Sequence, residues 1–100
     1  MKHVILIDRD ILIPKSILDL RDISTNEKIM LCYIAEIVKR ERVCLYTNEA
    51  FGAFMGYCKR QVIRFIRGLE NAKYIKSTIA HKERTIILLD KYYKAVNNGN

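Results

Sequence analysis

"NEAFGAFMGYCKRQVIRFIRGLE", residues 48–70, decides how this chain is read. Two apolar-periodic runs meet at Gly56-Tyr57-Cys58. In the first, Phe51, Phe54 and Met55 recur at spacings of three and four, the stripe of a helix. Thr47 or Asn48 can cap that helix, and Glu49 suits the positive end of its dipole. Gly52 costs it about 1 kcal/mol relative to Ala, which close approach of a neighbouring helix would explain. Gly56 is placed to take the left-handed conformation that ends a helix.

In the second run, Val62, Phe65, Ile66 and Leu69 fall within one arc of about 100°. Arg60, Arg64, Arg67 and Asn71 lie directly opposite. Gln61 and Gly68 flank that outer face, and Glu70 lies nearer the buried side. Like charges at this spacing repel by a few tenths of a kcal/mol per pair. A polyanion would reverse the sign of that term and release its own counterions.

The charge of the whole chain points the same way. The formal net charge is +7 over 100 residues. Residues 1–56 carry eight Lys/Arg and eight Asp/Glu, so they balance. Residues 57–84 carry eight Lys/Arg against only Glu70 and Glu83. A basic block of this kind suggests nucleic acid first and an anionic membrane second.

Upstream, "HVILI" and "ILI" are rich in β-branched residues and read as extended chain. They form two strands around Asp8-Arg9-Asp10 or one interrupted strand. Pro14 ends the run, and "KSILDLRD" reads as a short helix or turn. "STNEKIMLCYIAEIVKR" opens with Ser24-x-x-Glu27, the spacing of a capping box. Met30, Leu31, Ile34, Ile37 and Val38 then keep the helical period. "RVCLY" reads as a short strand. Downstream, "KYIKSTIA" and "RTIILLD" are strand-like runs joined by His81-Lys82-Glu83, a link of hairpin length. "KYYKAV" suits a short final helix, and residues 97–100 a frayed tail.

The order strand, helix, strand, helix, tight turn, helix, hairpin predicts an α+β winged helix-turn-helix in one domain, residues 1–100. Its three-helix core is joined by a small antiparallel sheet. The helix-turn-helix spans about 47–71 and the hairpin wing about 73–90. The last helix of such a unit enters the major groove. Arginine binds guanine O6 and N7 bidentately, and glutamine similarly binds adenine. The expected recognition-helix set is Tyr57, Lys59, Arg60, Gln61, Arg64 and Arg67. Lys76, Lys82 and Arg84 are expected to bring charge to the wing tip, towards phosphate or the minor groove. Tyr57 has two open readings, a phosphate contact or packing on the domain edge.

A basic helix face also occurs as plain solvated surface. Three features weigh against that here: the block is nearly free of acids, it covers helix and hairpin together, and the turn spacing fits. An enzyme is not expected, since there is no Gly-rich phosphate loop, no His-x-x-x-His and no supported Ser/His/Asp set. No cofactor or metal is expected either. Cys32, Cys44 and Cys58 form no Cys-x-x-Cys pair, and His3 and His81 are far apart. Asp8, Asp10, Asp19 and Asp22 are interspersed with Arg9 and Arg21, as in surface ion pairs. Cys58 reads as a plain turn residue. The odd cysteine count and the lack of an export signal suggest a reducing cytoplasm. No run of apolar residues is long enough to span a membrane.

"IPKSILDL…ISTNEKIMLCYI…VCLYTNEAFGAFMGYCKRQVIRFIRGLENAKYI" resembles the winged helix-turn-helix domains of plasmid and phage replication initiators and related bacterial DNA-binding proteins. The resemblance covers roughly residues 13–89. Ile13-Pro14-Lys15, Ile23-Ser24-Thr25-Asn26-Glu27-Lys28 and the spacing of Arg60, Val62, Arg64, Ile66, Leu69 and Glu70 carry it. It implies double-stranded DNA binding through Lys59, Arg60, Gln61 and Arg64, with the wing in support, in replication initiation or transcriptional regulation. Gly52 departs from the Ala usual in that family. Full initiators carry further domains, so a small phage or plasmid regulator, or a fragment of an initiator, is expected. One module buries little surface, so useful specificity is expected to need a homodimer. "HVILI" or "KYYKAV" would supply its interface. The alternative is a winged helix that contacts a host replication or transcription protein without specific DNA binding.

Overall fold

The structure, a computed structural model, describes residues 3–6 and 10–98, with side chains for 13–97. The chain runs β1 (His3–Leu6), β2 (Asp10–Ile13), α1 (Lys15–Leu18), α2 (Thr25–Glu41), α3 (Asn48–Met55), α4 (Lys59–Asn71), β3 (Ile75–Ala80), β4 (Glu83–Leu88) and α5 (Asp90–Asn98). The class is α+β, with five helices and two separate two-stranded antiparallel sheets among the described residues.

Of the two readings left open for the N-terminal run, the structure has two strands. β1 and β2 pair from His3 with Ile13 to Leu6 with Asp10. Asp8 and Arg9, in the link between them, lie outside the described residues. Pro14 stands before α1, where its missing N–H costs nothing. Ile17 of that short helix is fully buried.

α2 is the spine. Its capping box is present in both directions: Glu27 N donates to Ser24 Oγ at 3.2 Å, and Ser24 N donates to Glu27 Oε1 at 2.7 Å. Met30, Leu31, Tyr33, Ile34 and Ile37 bury one side of the helix. Phe51 from α3, Val62, Ile66 and Leu69 from α4, and Ile75 and Ile86 from the β3–β4 hairpin close the core. Tyr33, Tyr46, Phe51 and Phe54 meet ring to ring at 5.5–5.9 Å and fasten α3 to α2. Such contacts add about 0.5–1.5 kcal/mol per pair beyond burial.

Three expectations are corrected here. The core is not three helices alone, because α1 adds Ile17 and α5 packs Tyr92, Ala95 and Val96 against it. "RVCLY" is not a strand but a single bridge, Cys44 to Ile86, with both hydrogen bonds at 2.9 Å. It is squeezed between Arg42, the left-handed end of α2, and Thr47, the N-cap of α3, so too few residues remain for a ladder. The chain does not fray from Asn97 as expected, since Asn97 and Asn98 continue α5; Gly99 and Asn100 lie outside the described residues.

The β3–β4 turn is also tighter than its sequence suggests. Glu83 already pairs with Ala80, leaving only His81 and Lys82 in the loop. Both have positive φ, 53° and 66°, the signature of a type I′ turn that matches strand twist.

Candidate nucleic-acid interface

The α3–α4 junction holds the basic helix at a fixed angle. Gly56 is left-handed (φ 75°, ψ 25°), and its N–H donates to Gly52 O at 2.8 Å. The next amide, Tyr57 N–H, donates to the same oxygen at 3.2 Å. Gly52 is explained by this turn more than by a neighbouring helix. A Cβ there would lie 2.6 Å from the Tyr57 carbonyl oxygen, while Val62 is 3.9 Å away.

α4 then divides as its periodicity predicts. Val62, Phe65, Ile66 and Leu69 are buried, and Arg60, Arg64 and Arg67 are exposed. None of the three arginines makes an ion pair among the described residues. With Ile63, Asn71 and Glu27 they line a groove of about 430 Å³ between α4 and the start of α2. Glu70, the only acid on α4, is engaged elsewhere. Its Oε2 accepts from Ser77 N at 3.2 Å and Ser77 Oγ at 2.8 Å, which covers part of the free edge of β3.

The other residues expected on this helix have local partners. Tyr57 takes the packing alternative: its ring meets Phe65 edge-on at 5.1 Å, and its hydroxyl donates to Asn26 Oδ1 at 2.5 Å. Gln61 Oε1 accepts from Cys58 N at 3.2 Å, closing the first turn of α4. Bidentate adenine reading needs that same oxygen, so it would cost the cap. Lys59 is exposed but lies 3.4 Å from Glu49 Oε2. The Glu49 carboxyl is held below its ordinary pKa by its own backbone amide and by Lys59. Cys58, exposed, stands at the N-cap of α4.

The three cations expected at the hairpin tip are not brought together. Lys82 sits in the turn and is exposed. Lys76 pairs with Ile87 near the other end of the ladder, on the face opposite Ile75 and Ile86. Arg84 corrects the expectation outright. Its register puts it on the inward face, where Nη1 donates to Asn48 Oδ1 at 2.5 Å and Nη2 to Tyr46 O at 2.7 Å. Its guanidinium stands 6.0 Å from the Phe51 ring centroid. Its Nε is buried with no hydrogen-bond partner among the described residues, and burial lowers its pKa. Arg84 is a clamp between the hairpin and the loop leading into α3.

Sequence reasoning missed two further features. Glu27 belongs to α2, so it does not show in the charge pattern of α4; Gly68 on the outer face was the one signal of its seat. The second is a concavity, also about 430 Å³, between the hairpin end, the loop before α3 and the start of α4. Leu45 (43% exposed) and Ile79 (74% exposed) give it an apolar wall. Its cations Lys59, Lys82 and Arg84 stand against Glu49 and Glu83.

Among the described residues, no group of three or more His, Cys, Asp or Glu is placed to hold a metal ion. No described helix is long and apolar enough to cross a membrane. Comparison with protein-family models, characterised proteins and solved structures returned no match.

Proposed function

We propose that this chain binds double-stranded DNA as a winged helix-turn-helix, with α4 in the major groove and the β3–β4 hairpin beside it as the wing. The observation that carries the reading is the exposed arginine face of α4, unpaired among the described residues and held on a helix that starts just past the Gly56 turn. Arg60, Arg64 and Arg67 are the binding residues; Lys59 and Lys82 give secondary contacts to phosphate. Bidentate arginine contacts to guanine would supply specificity, and phosphate contacts the bulk of the affinity. The setting is the one the resemblance implies: a small phage or plasmid type protein in replication initiation or transcriptional regulation. Target recognition would use a homodimer. α5 carries a half-exposed tyrosine, Tyr93, suited to such an interface.

A second reading is favoured by the concavity at Leu45 and Ile79. Its two acids offset most of its basic charge and its wall is apolar, which suits a protein surface better than phosphate. Under that reading the domain docks on a host replication or transcription protein.

The test is binding of a labelled random-sequence duplex across a salt series. Under the DNA reading affinity falls steeply with salt, and the Arg60→Ala, Arg64→Ala, Arg67→Ala triple variant loses most of it. Affinity that ignores salt, or that survives the triple substitution, refutes the DNA reading and leaves the protein-contact one.

A further inference from the structure

Gly68 sits on the outer flank of α4, where almost any other residue would favour the helix more. Its space is used by Glu27. A Cβ at Gly68 would overlap Glu27 Oε2 and lie 2.8 Å from its Cδ. Glu27 Oε1 is tied to Ser24 N at 2.7 Å. Glu27 Oε2 has no hydrogen-bond or ion-pair partner among the described residues, although it shares its groove with Arg60, Arg64 and Arg67.

We propose that Glu27 is a specificity-determining residue of the arginine face. It is an anchored carboxylate that keeps duplex phosphate out of the groove between α2 and α4, and so weakens sequence-independent binding. The inference rests on the DNA-binding reading above. Three unpaired arginines attract any phosphate, and that attraction carries no sequence information. The start of α2 adds the positive end of a helix dipole to the same place. Specificity is a difference of affinities, and a repulsive element raises it by weakening the wrong complexes more than the right one. Glu27 suits that part because it cannot swing away without breaking its cap, and because Gly68 leaves it a seat. It forms no ion pair with the arginines, so they keep their charge for a ligand that approaches along the outer face of α4.

The test compares Glu27→Gln with Glu41→Gln, an equal charge change at the far end of α2. Glutamine serves as well as glutamate at this position of a capping box, so Glu27→Gln keeps its fold. The probe is a labelled random-sequence duplex, titrated at several salt concentrations. Glu27→Gln is expected to bind about three- to fivefold tighter than the parent protein. Its salt dependence should steepen by about one phosphate contact. Glu41→Gln should change affinity by less than about twofold. A third variant, Glu27→Asp, keeps the charge and weakens the anchor; it should melt earlier and bind between the parent and Glu27→Gln. Equal effects of Glu27→Gln and Glu41→Gln, or Glu27→Asp binding tighter than Glu27→Gln, overturn the inference alone. Failure of every variant to bind duplex removes the DNA reading and this inference with it.

Discussion

The Tyr74 hydroxyl donates to both oxygens of the Asp22 carboxylate, at 2.9 and 3.1 Å, across 52 positions of chain. Lys91 joins them: its Nζ lies 2.7 Å from Asp22 Oδ2, 2.7 Å from Ala72 O and 4.5 Å from the Tyr74 ring centroid. This cluster ties α5 and the end of α4 to the loop before α2. Burial pushes the Asp22 carboxyl up, but the hydrogen bonds from Lys91 and Tyr74 outweigh it, so its pKa falls below 3.8. Tyr74 moves the other way, pushed up to about 12 by burial and then by Asp22.

The first prediction follows from those signs. A carboxyl with a depressed folded pKa adds stability that is present above its unfolded pKa and lost as pH falls through the folded one. The part of stability owed to Asp22 should therefore fade below about pH 4. Tyr74→Phe should cost about 1–2 kcal/mol near neutrality, discounted because Asp22 is partly exposed. In urea denaturation, Asp22→Asn should lose less stability than the parent between neutral and acid pH. Identical acid profiles would remove Asp22 from the account.

A second prediction concerns Gly52. By helix propensity alone, Gly52→Ala should stabilise α3 by about 1 kcal/mol. Sterics oppose this, because the new Cβ would meet a backbone oxygen at 2.6 Å and neither atom can rotate away. Overpacking costs of about 1–3 kcal/mol are typical, so the clash wins. The variant should melt several degrees lower, and its duplex affinity should fall because the α3–α4 angle shifts. A higher melting temperature would show that the turn relaxes freely.

What the sequence made legible follows the range of the interactions. The capping box of α2, the Gly56 turn and both faces of α4 are local patterns, and they stand in the structure as read. The failures involve partners distant in the chain. Arg84 looked like a tip charge because Ile86 and Ile87 are both apolar, which hides the face its strand buries. Its direction is settled by the full burial of Ile86 on the same face and by its contacts with Asn48 and Tyr46. Glu27 was legible as a cap but not as a wall of the arginine groove, since its neighbour Gly68 lies on another helix. "RVCLY" has strand composition, yet the flanking helix ends leave it room for one bridge.

A third prediction separates the two roles assigned to Arg84. As a clamp it needs the guanidinium fork, which reaches Asn48 and Tyr46 together; lysine keeps the charge but not the fork. Arg84→Lys should therefore lose most of what Arg84→Ala loses, about 2–3 kcal/mol by chemical denaturation. Its duplex affinity should fall only as far as the hairpin loosens. If Arg84→Lys is as stable as the parent and only Arg84→Ala weakens DNA binding, the side chain acts as a phosphate contact and the clamp is incidental.

The last prediction concerns the arginines themselves. In the free protein Arg60 and Arg64 stand one turn apart, as do Arg64 and Arg67; among the described residues no acid forms an ion pair with them, although Glu27 faces the same groove. Each like-charge pair costs about 0.2–0.5 kcal/mol, and alanine is the better helix former. The triple alanine variant should therefore be as stable as the parent or slightly more so at low salt. The gap should narrow as salt rises, because screening relieves the parent and leaves the variant unchanged. Adding duplex DNA should invert the order, since a ligand that binds only the folded state raises its melting temperature. The parent should gain several degrees and the variant almost nothing. A variant less stable than the parent without DNA would mean that the arginine stems support the core. A parent that gains nothing from duplex would mean that the charge on α4 serves another partner.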